Sequence, residues 1–508
     1  MRELTDWPTR DPLAHRAATS PERTALVDTD SGATWTYREL DARVERRAGA
    51  LASNGVAPDD RIGLLLSTRV AFVELVHAAM RLRATLVPLN AELTPEELGP
   101  QVQQAALDCL LCQAGTEETA VELADGIPVY SVDEPEHGRI DQVGRLDRPT
   151  AALGDRHPLE RDRTALVLFT SGTTGTPKGV RLTVGNLLAS ATASAFRLGV
   201  RPDDRWLVCL PMYHMGGLAP VVRSTLYGTA VVLQPAFDAE QTGEVTSEHE
   251  ITGVSLVPTM LVRMLGSGWA PPESLRFVLL GGAPASQELI ERCERRGVPV
   301  CPTYGATETA SQIATALPEQ AFEHPGTVGQ PLVVTEVAIL DDAGDPCEPG
   351  ETGEIVVDGP TVTPGYLDAK ASQEVFDEQG FYTGDVGYRD EDGRLWVLGR
   401  ADDTILTGGE NVHPEEVAPV IRDHPAVEDV AVVGLDDPEW GERIAALVVA
   451  GEVQSDALDA HCRDRLASFK IPKTWGVAAE LPRTASGTVD REAVRERLHE
   501  SGVGPESS

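Results

Sequence analysis

Lysine is nearly absent from this 508-residue sequence, which indicates an acidic, lysine-poor surface. Lysine and arginine together number 43, whereas aspartate and glutamate number 80, giving a formal net charge of −37. A nucleic-acid partner would require a basic face, so this charge argues against one. Concentrated salt would screen the self-repulsion of such a surface, and we therefore hypothesise a halophilic cytoplasm. Lysine occurs only at positions 178, 370, 470 and 473.

Long apolar runs and a disulfide framework are also missing. No run of about 18 apolar residues occurs, so no transmembrane helix is expected. The segment from Met1 to Trp7 lacks the apolar core of a signal peptide, and we expect a soluble cytoplasmic protein. Seven cysteines is an odd number, which argues against paired disulfides. Cys109 and Cys112 lie in an apolar segment without a second pair, so packing is preferred over a metal or redox role.

Strand and helix patterns alternate along the chain and predict the α/β class. Residues 24–27 and 61–66 predict strands, and residues 69–82 predict a helix. Thr36 and Glu39 have the spacing of a capping box that opens another helix. Such alternation implies parallel sheets covered by helices. We predict a large N-terminal domain of βα subdomains with parallel-rich sheets, followed by a small C-terminal α/β domain.

Glycine and hydroxyl residues are concentrated in one stretch that ends at a lysine. It follows the apolar run 165–169, which predicts a buried strand ending in a turn. Glycines let backbone N–H groups approach an anion closely, hydroxyls add donors, and Lys178 adds a positive charge. The Walker pattern is excluded because Pro177 precedes the lysine and Gly179 follows it. The stretch predicts a polyphosphate-binding loop, with a plain surface loop as the alternative; its members are Thr170, Ser171, Gly172, Thr173, Thr174, Gly175 and Thr176.

This loop resembles the phosphate-binding signature of the adenylate-forming superfamily, which includes acyl-CoA synthetases, luciferases and peptide-synthetase adenylation domains. The resemblance implies an N-terminal AMP-binding domain over residues 1–400, which would hold ATP and the acyl group. It also implies a mobile C-terminal domain over residues 401–508 with a hinge at Asp402. Similar motifs extend over nearly the whole chain: Leu86–Asn90, Leu210–Leu218, Phe277–Pro284, Tyr304–Thr309, Tyr382–Asp385, Leu398–Asp403 and Thr407–Pro414.

The resemblance assigns nucleotide-binding roles to several of these residues. Tyr304 would stack on adenine, Thr307 would contact phosphate and Glu308 would help to hold Mg²⁺, for which a carboxylate is a suitable hard ligand. Asp385 would bind the ribose hydroxyls, and Arg400 the ribose or a phosphate. The remaining implied contacts come from glycine-rich turns, with adenine lying against Gly282, Ala283 and Pro284, with Gly305 as a further nucleotide-binding residue, and with Gly408 and Gly409 lining the thiol channel.

Two residues on the acyl side depend on the resemblance to different degrees. A lone histidine such as His214 among apolar residues is more often a packed core residue than a ligand. The resemblance instead places it on the carboxylate side of the acyl pocket, which Gly281 would border. Arg223 lies in an apolar helical segment, where an unpaired charge would cost several kcal/mol, so it requires an anion. An internal carboxylate, or a guanidinium that reaches the surface, is the alternative.

The activity implied by the resemblance is that of an ATP-dependent acid–CoA ligase. A carboxylate attacks the α-phosphorus of Mg·ATP to form an acyl-adenylate and pyrophosphate, and the thiol of coenzyme A then attacks the acyl carbon. The chain most resembles the o-succinylbenzoate–CoA ligases of menaquinone biosynthesis, whose substrate has a second carboxylate that Arg223 would bind. Another aryl- or fatty-acid–CoA ligase, or a catalytically weakened nucleotide-binding homologue, remains the alternative. The sequence leaves the oligomeric state open, with a homodimer as one alternative.

One position departs from the superfamily pattern. The residue after Ser486 and Gly487 is normally a lysine that clamps the attacking carboxylate and the α-phosphate, but here it is Thr488. One such electrostatic contact typically lowers a barrier by about 3–4 kcal/mol. Three explanations are open. Mg²⁺ and Lys178 suffice, the first half-reaction is slow, or another cation compensates, the candidates being Lys470, Lys473 and Arg491.

Overall fold

The computed structural model describes residues 11–135, 143–146, 159–170, 177–407, 410–437, 440–451, 453–463, 465–483 and 489–501. The chain divides into two compact units. The first comprises Met1–Val337 and Val357–Phe381, and the second comprises Ala338–Val356 and Tyr382–Ser508. The domain boundary proposed near Asp402 stays a prediction.

Strands and helices alternate in the first unit, as the sequence predicts, and the α/β class is confirmed. The strands are β1 Thr24–Asp28, β2 Thr34–Thr36, β3 Arg61–Leu65, β4 Thr85–Pro88, β5 Cys109–Cys112, β6 Val129–Ser131, β7 Gly144–Arg145, β8 Thr164–Thr170, β9 Lys178–Thr183, β10 Arg205–Val208, β11 Ala230–Leu233, β12 Gly253–Leu256, β13 Phe277–Leu280, β14 Val300–Tyr304, β15 Ala314–Thr315, β16 Gln330–Pro331, β17 Glu336–Leu340, β18 Gly353–Asp358, β19 Phe376–Asp377, β20 Gly380–Arg389, β21 Leu395–Arg400, β22 Ile405–Thr407, β23 Glu410–Val412, β24 Val427–Asp437, β25 Gly441–Ala450 and β26 Thr474–Ala478.

The helices cover the sheets, and α2 begins at its predicted cap. Thr36 caps α2, and both hydrogen bonds of its capping box with Glu39 are present. The helices are α1 Pro12–Thr19, α2 Tyr37–Ser53, α3 Val70–Leu82, α4 Pro95–Ala105, α5 Glu117–Leu123, α6 Val184–Leu198, α7 Met215–Tyr227, α8 Ala239–Glu248, α9 Pro258–Gly266, α10 Gln287–Arg296, α11 Pro318–Glu323, α12 Ala369–Gln373, α13 Pro414–Arg422, α14 Ser455–Arg463 and α15 Arg491–Ser501.

Two sheets form the framework of the first unit. The larger has the order β16-β15-β14-β13-β12-β10-β11-β1-β2, and its central pairs from β14 to β1 are parallel. The smaller has the order β7-β6-β5-β3-β4-β8-β9 and is parallel except for the last pair. Parallel strands covered by helices are buried on both faces, which explains their continuous apolar runs. Cys109 and Cys112 are buried in β5, which confirms their interpretation as packed residues.

The second unit contains a small sheet of its own. Its order is β23-β22-β25-β24, and β26 adds to β25 in parallel. Val432 and Ala446 on the paired long strands pack with Val417 of α13 and Leu458 of α14 in one apolar cluster. The apolar stretches 430–434 and 444–449 lie within β24 and β25. Within the described ranges, the model has no helix with the length and apolarity needed to cross a membrane.

A buried arginine joins three helical segments of the first unit. The Arg81 side chain on α3 is 2% exposed. Its guanidinium lies 2.7 Å from Asp11, which caps α1, and 2.5 Å and 2.8 Å from Asp41 and Glu45 on α2. Carboxylates on all sides offset the cost of burying the cation.

We expect Arg81→Met to destabilise the fold because it leaves three carboxylates facing one another without a cation. Removal of one partner from a buried ion pair typically costs about 3–5 kcal/mol of unfolding free energy, measurable by urea denaturation. Arg38→Met is the matched control, since the side chains of the Arg38–Glu22 pair are 64% and 71% exposed, and it should cost less than about 1 kcal/mol. Equal losses in the two variants would contradict the prediction.

Candidate active site

The predicted phosphate-binding loop joins two antiparallel strands. Strand β8 ends at Thr170 and β9 begins at Lys178, and the strand register pairs these two residues. The ends of the loop are therefore held side by side, and the strand predicted before the loop is confirmed. The loop residues themselves, Ser171, Gly172, Thr173, Thr174, Gly175 and Thr176, lie outside the described residues.

Tyr366 connects two of the predicted catalytic residues and was missed by the sequence analysis. Its hydroxyl donates a hydrogen bond to Glu308 Oε1 at 2.9 Å. The Lys178 ammonium lies 5.4 Å from the centroid of its ring, within the range of a cation–π contact. Tyr366 is 5% exposed, and its backbone forms an isolated bridge with Val180 of β9. It is one of eight tyrosines and follows a Pro-Gly pair, which predicts only a turn.

The carboxyl edge of the larger sheet brings the nucleotide motifs together. His214 follows β10, the 281–284 turn follows β13, and the 305–307 turn follows β14. These strands lie on one parallel path, β14-β13-β12-β10, so the segments after them emerge at the same edge. The order reverses at β10, which has β11 on one side and β12 on the other. The predicted residues placed at this edge are His214, Gly281, Gly282, Ala283, Pro284, Tyr304, Gly305 and Thr307.

Two glycines at this edge are required by the backbone. A Cβ at Gly305 would lie 1.7 Å from the Ser311 carbonyl oxygen, so no other residue fits without a shift of the chain. Gly282 has φ +80°, in the left-handed region that favours glycine. Both turns therefore depend on a missing side chain, which is consistent with a backbone that a ligand approaches closely.

His214 occupies the N-cap position of α7 without a side-chain capping hydrogen bond, and it is exposed. Its ring packs edge-on against Tyr213, with centroids 4.7 Å apart. The pKa of His214 is below its ordinary value because surrounding protein desolvates the ring, while Glu92 acts in the opposite direction. A neutral imidazole can accept or donate a hydrogen bond.

Arg223 on α7 is buried, with 2% exposure, and this excludes a guanidinium that reaches the surface. Its carbon Cζ lies 5.5 Å from the centroid of the Trp206 ring, and Nη2 is 3.5 Å from Ser190 Oγ. Its Nε is buried without a hydrogen-bond partner. No carboxylate pairs with Arg223 in the part of the chain that the structure describes, so the alternative of an internal ion pair finds no support. Burial lowers the pKa of Arg223, and Tyr227 acts in the opposite direction.

Asp385 and Arg400 lie opposite each other on the paired strands β20 and β21 of the second unit. Arg400 Nη1 is 3.2 Å from Asp385 Oδ1 and donates to the Thr383 carbonyl at 2.8 Å. Gly384 permits this approach, since a Cβ there would lie 2.8 Å from Arg400 Nη2. Asp402 belongs to the short helical turn Ala401–Asp403. Gly408 and Gly409 lie outside the described residues.

Thr488 also lies outside the described residues, but its candidate substitutes do not. Arg491 is 3.1 Å from Asp403 and 2.8 Å from Glu415, and Lys470 is 2.7 Å from Glu416. These two cations are therefore neutralised by neighbouring carboxylates. Lys473 is exposed and has no ion pair with any described carboxylate.

The donor set fits a metal ion that arrives with phosphate. The described ranges contain no group of three or more His, Cys, Asp or Glu residues that could hold a metal alone. Glu308 offers one carboxylate, held by Tyr366. Mg²⁺ usually binds through one or two carboxylates, substrate phosphates and water, so a single carboxylate is sufficient for Mg·ATP.

Comparisons with known proteins agree with this geometry. Residues 13–367 match the AMP-binding enzyme family, and residues 416–488 match the AMP-binding enzyme C-terminal domain. A 2-succinylbenzoate–CoA ligase of Bacillus licheniformis is 40% identical over 482 residues, covering 94% of this chain and 98% of the relative.

Solved structures of o-succinylbenzoate CoA synthetase from Bacillus subtilis have the same fold. The complex with the acyl-adenylate intermediate has a TM-score of 0.88 and 38% identity, covering 96% of this chain and 98% of that one. The complex with ATP and magnesium has a TM-score of 0.88 and 38% identity, covering 96% and 99%. The resemblance noted in the sequence is confirmed, and the chain belongs to the AMP-binding enzyme family.

Proposed function

We propose that this protein is a 2-succinylbenzoate–CoA ligase that works through an acyl-adenylate. The relatives of that name match almost the full chain, which supports the reaction. Arg223 supports the acid: it is a buried cation on the element that follows His214, and no described carboxylate neutralises it. A substrate with two carboxylates leaves one free for this cation while the other is activated.

In the first unit, different residues bind the different groups of the reactants. Lys178 and the hydroxyls of the preceding loop neutralise the triphosphate. Glu308, held by Tyr366, binds Mg²⁺, and the ion supplies charge neutralisation of the phosphates when bound. Tyr304 and the 281–284 turn hold adenine, and His214 contacts the carboxylate that reacts. No strong base is needed, because the carboxylate is already ionised at neutral pH.

The second unit supplies the remaining contacts in this proposal. Asp385 binds the ribose hydroxyls and Arg400 a ribose or phosphate oxygen, while the 408–409 segment lines the path of the CoA thiol. A swing about Asp402 separates the two half-reactions. A thiol with pKa near 8.5 is partly ionised at neutral pH, so the second step also proceeds without a dedicated strong base.

Arg223→Ala should raise the KM for 2-succinylbenzoate tenfold or more, because losing one partner of a buried charge pair costs about 2–5 kcal/mol. Pyrophosphate release across a panel of succinylbenzoate, benzoate, cinnamate and fatty acids measures this. Benzoate is the internal control, since it lacks the second carboxylate and its KM should not change. An unchanged KM for succinylbenzoate in a folded variant would refute the substrate assignment. A lack of ATP–pyrophosphate exchange with every acid would favour the weakened homologue.

Tyr366→Phe should weaken binding of Mg·ATP but not of metal-free ATP. The variant keeps the ring beneath Lys178 and removes the hydroxyl that fixes Glu308. Hydrogen bonds to charged groups contribute about 1.5 kcal/mol or more, so the Kd for Mg·ATP should rise about tenfold in isothermal titration calorimetry. Tyr388→Phe is the matched control, because Tyr388 stacks on Trp396 and its hydroxyl makes no hydrogen bond to any described group. Equal weakening with and without Mg²⁺ would argue against this role of Tyr366.

We further propose a cytoplasm rich in salt as the working environment. The net charge of −37 opposes a compact state in dilute buffer, whereas at about 1 M salt the Debye length falls to about 3 Å. The midpoint of thermal unfolding should therefore rise with KCl concentration up to the molar range, measured by circular dichroism. Full stability in dilute buffer would contradict the proposal.

A further inference from the structure

A single buried hydroxyl contacts both the acid side and the nucleotide side of the site. Ser190 lies on α6 and is 3% exposed. Its Oγ donates a hydrogen bond to the Ala310 carbonyl at 2.7 Å and lies 3.5 Å from Arg223 Nη2. Because a hydroxyl has one hydrogen to donate, the bond to Ala310 leaves only its lone pairs for the guanidinium. Ser190 is therefore placed between two groups that the proposed reaction uses separately.

The Ala310 side of this contact is a strained turn that carries Glu308. Ala310 has φ +52° and Ser311 has φ +122°, although neither residue is glycine. The N–H of Ser311 donates to the Ala306 carbonyl at 3.2 Å, so the turn closes over Thr307 and Glu308. A strained backbone persists only where the surroundings hold it. The hydrogen bond from Ser190 to the Ala310 carbonyl is one such restraint.

The Arg223 side of the contact is incompletely satisfied. Nε has no hydrogen-bond partner, and the separation of 3.5 Å to Ser190 is at the outer limit of a hydrogen bond. The Trp206 ring is held by its own hydrogen bond to Ser255 Oγ at 3.3 Å and offers the guanidinium only a face. A carboxylate that binds Arg223 therefore offers the guanidinium a stronger acceptor than Ser190 Oγ, and the contact between Arg223 and Ser190 changes.

We propose that Ser190 is a positioning residue that couples binding of the distal carboxylate at Arg223 to the turn holding Glu308, so that a dicarboxylate acid and Mg·ATP strengthen each other's binding. The proposal rests on the proposed function, since it takes Arg223 as the acid site. By linkage the effect is reciprocal: the acid improves nucleotide affinity by the factor by which the nucleotide improves acid affinity. An acid without the distal carboxylate does not engage Arg223 and gives no such gain.

Calorimetric titration of the full-length protein tests the coupling without turnover. The Kd for Mg²⁺ with a non-hydrolysable α,β-methylene ATP analogue is measured alone, with saturating 2-succinylbenzoate, and with benzoate. We expect succinylbenzoate to tighten binding of the analogue fivefold or more, which is within the usual range of coupling between sites, and benzoate to have no effect. Ser190→Ala should reduce this factor to about one.

Two further variants separate positioning from general damage to α6. Ser190→Thr retains the hydroxyl and should retain the coupling. Thr192→Ala is the matched control, because Thr192 is exposed on the same helix and its hydroxyl donates only to the Leu188 carbonyl, at 2.8 Å; its coupling should equal that of the unaltered protein.

The outcomes distinguish this proposal from the proposed function. Coupling that survives unchanged in Ser190→Ala overturns the role of Ser190 and leaves the ligase assignment intact. Coupling lost equally in Thr192→Ala also overturns it, since the effect would then belong to the helix and not to the hydroxyl. Failure of succinylbenzoate to bind the unaltered protein overturns both proposals.

Discussion

The contact between Lys178, Tyr366 and Glu308 is the constraint on which the proposed site depends. Lys178 begins the last strand of the smaller sheet, and Glu308 lies in the turn after β14 of the larger one. Tyr366 contacts both side chains, since its ring face meets the Lys178 ammonium and its hydroxyl donates to the Glu308 carboxylate. Both charges stay oriented for ligands of opposite sign, and the two sheets are fixed relative to each other at the same point.

Two buried arginines of this chain, Arg81 and Arg223, have opposite electrostatic surroundings. Arg81 lies among three carboxylates, whereas Arg223, in a chain with 80 acidic residues, pairs with none of those described. Since burial of an unpaired cation is costly, and carboxylates are abundant, the lack of a partner at Arg223 is difficult to explain by packing. A substrate that brings its own carboxylate accounts for it, and the contact with Ser190 extends the same explanation to the neighbouring turn.

Local signals in the sequence predicted most of the framework. The capping box of Thr36 and Glu39 and the strand before the phosphate loop are both set by neighbours in the chain. Tyr366 and Ser190 could not be found in this way. Each acts on a partner far along the sequence, 58 residues away for Tyr366 and 120 for Ser190, and neither has a pattern of its own. The resemblance assigned roles to the site residues. The neighbours that hold those residues in place, such as Tyr366 and Ser190, are visible only in the folded structure.

The ion pairs of two candidate cations narrow the explanations for adenylation without the usual C-terminal lysine, whose place Thr488 takes. Arg491 and Lys470 bind carboxylates of their own unit, so recruiting either would require breaking an ion pair. Three explanations remain: the exposed Lys473 replaces the missing lysine, Lys178 and Mg²⁺ stabilise the reacting anions without it, or the first half-reaction is slow. Composition favours a large share for Lys178. Of only four lysines among 43 basic residues, one begins β9 directly after the predicted phosphate-binding loop, where a compact point charge follows a phosphate more freely than a flat guanidinium would.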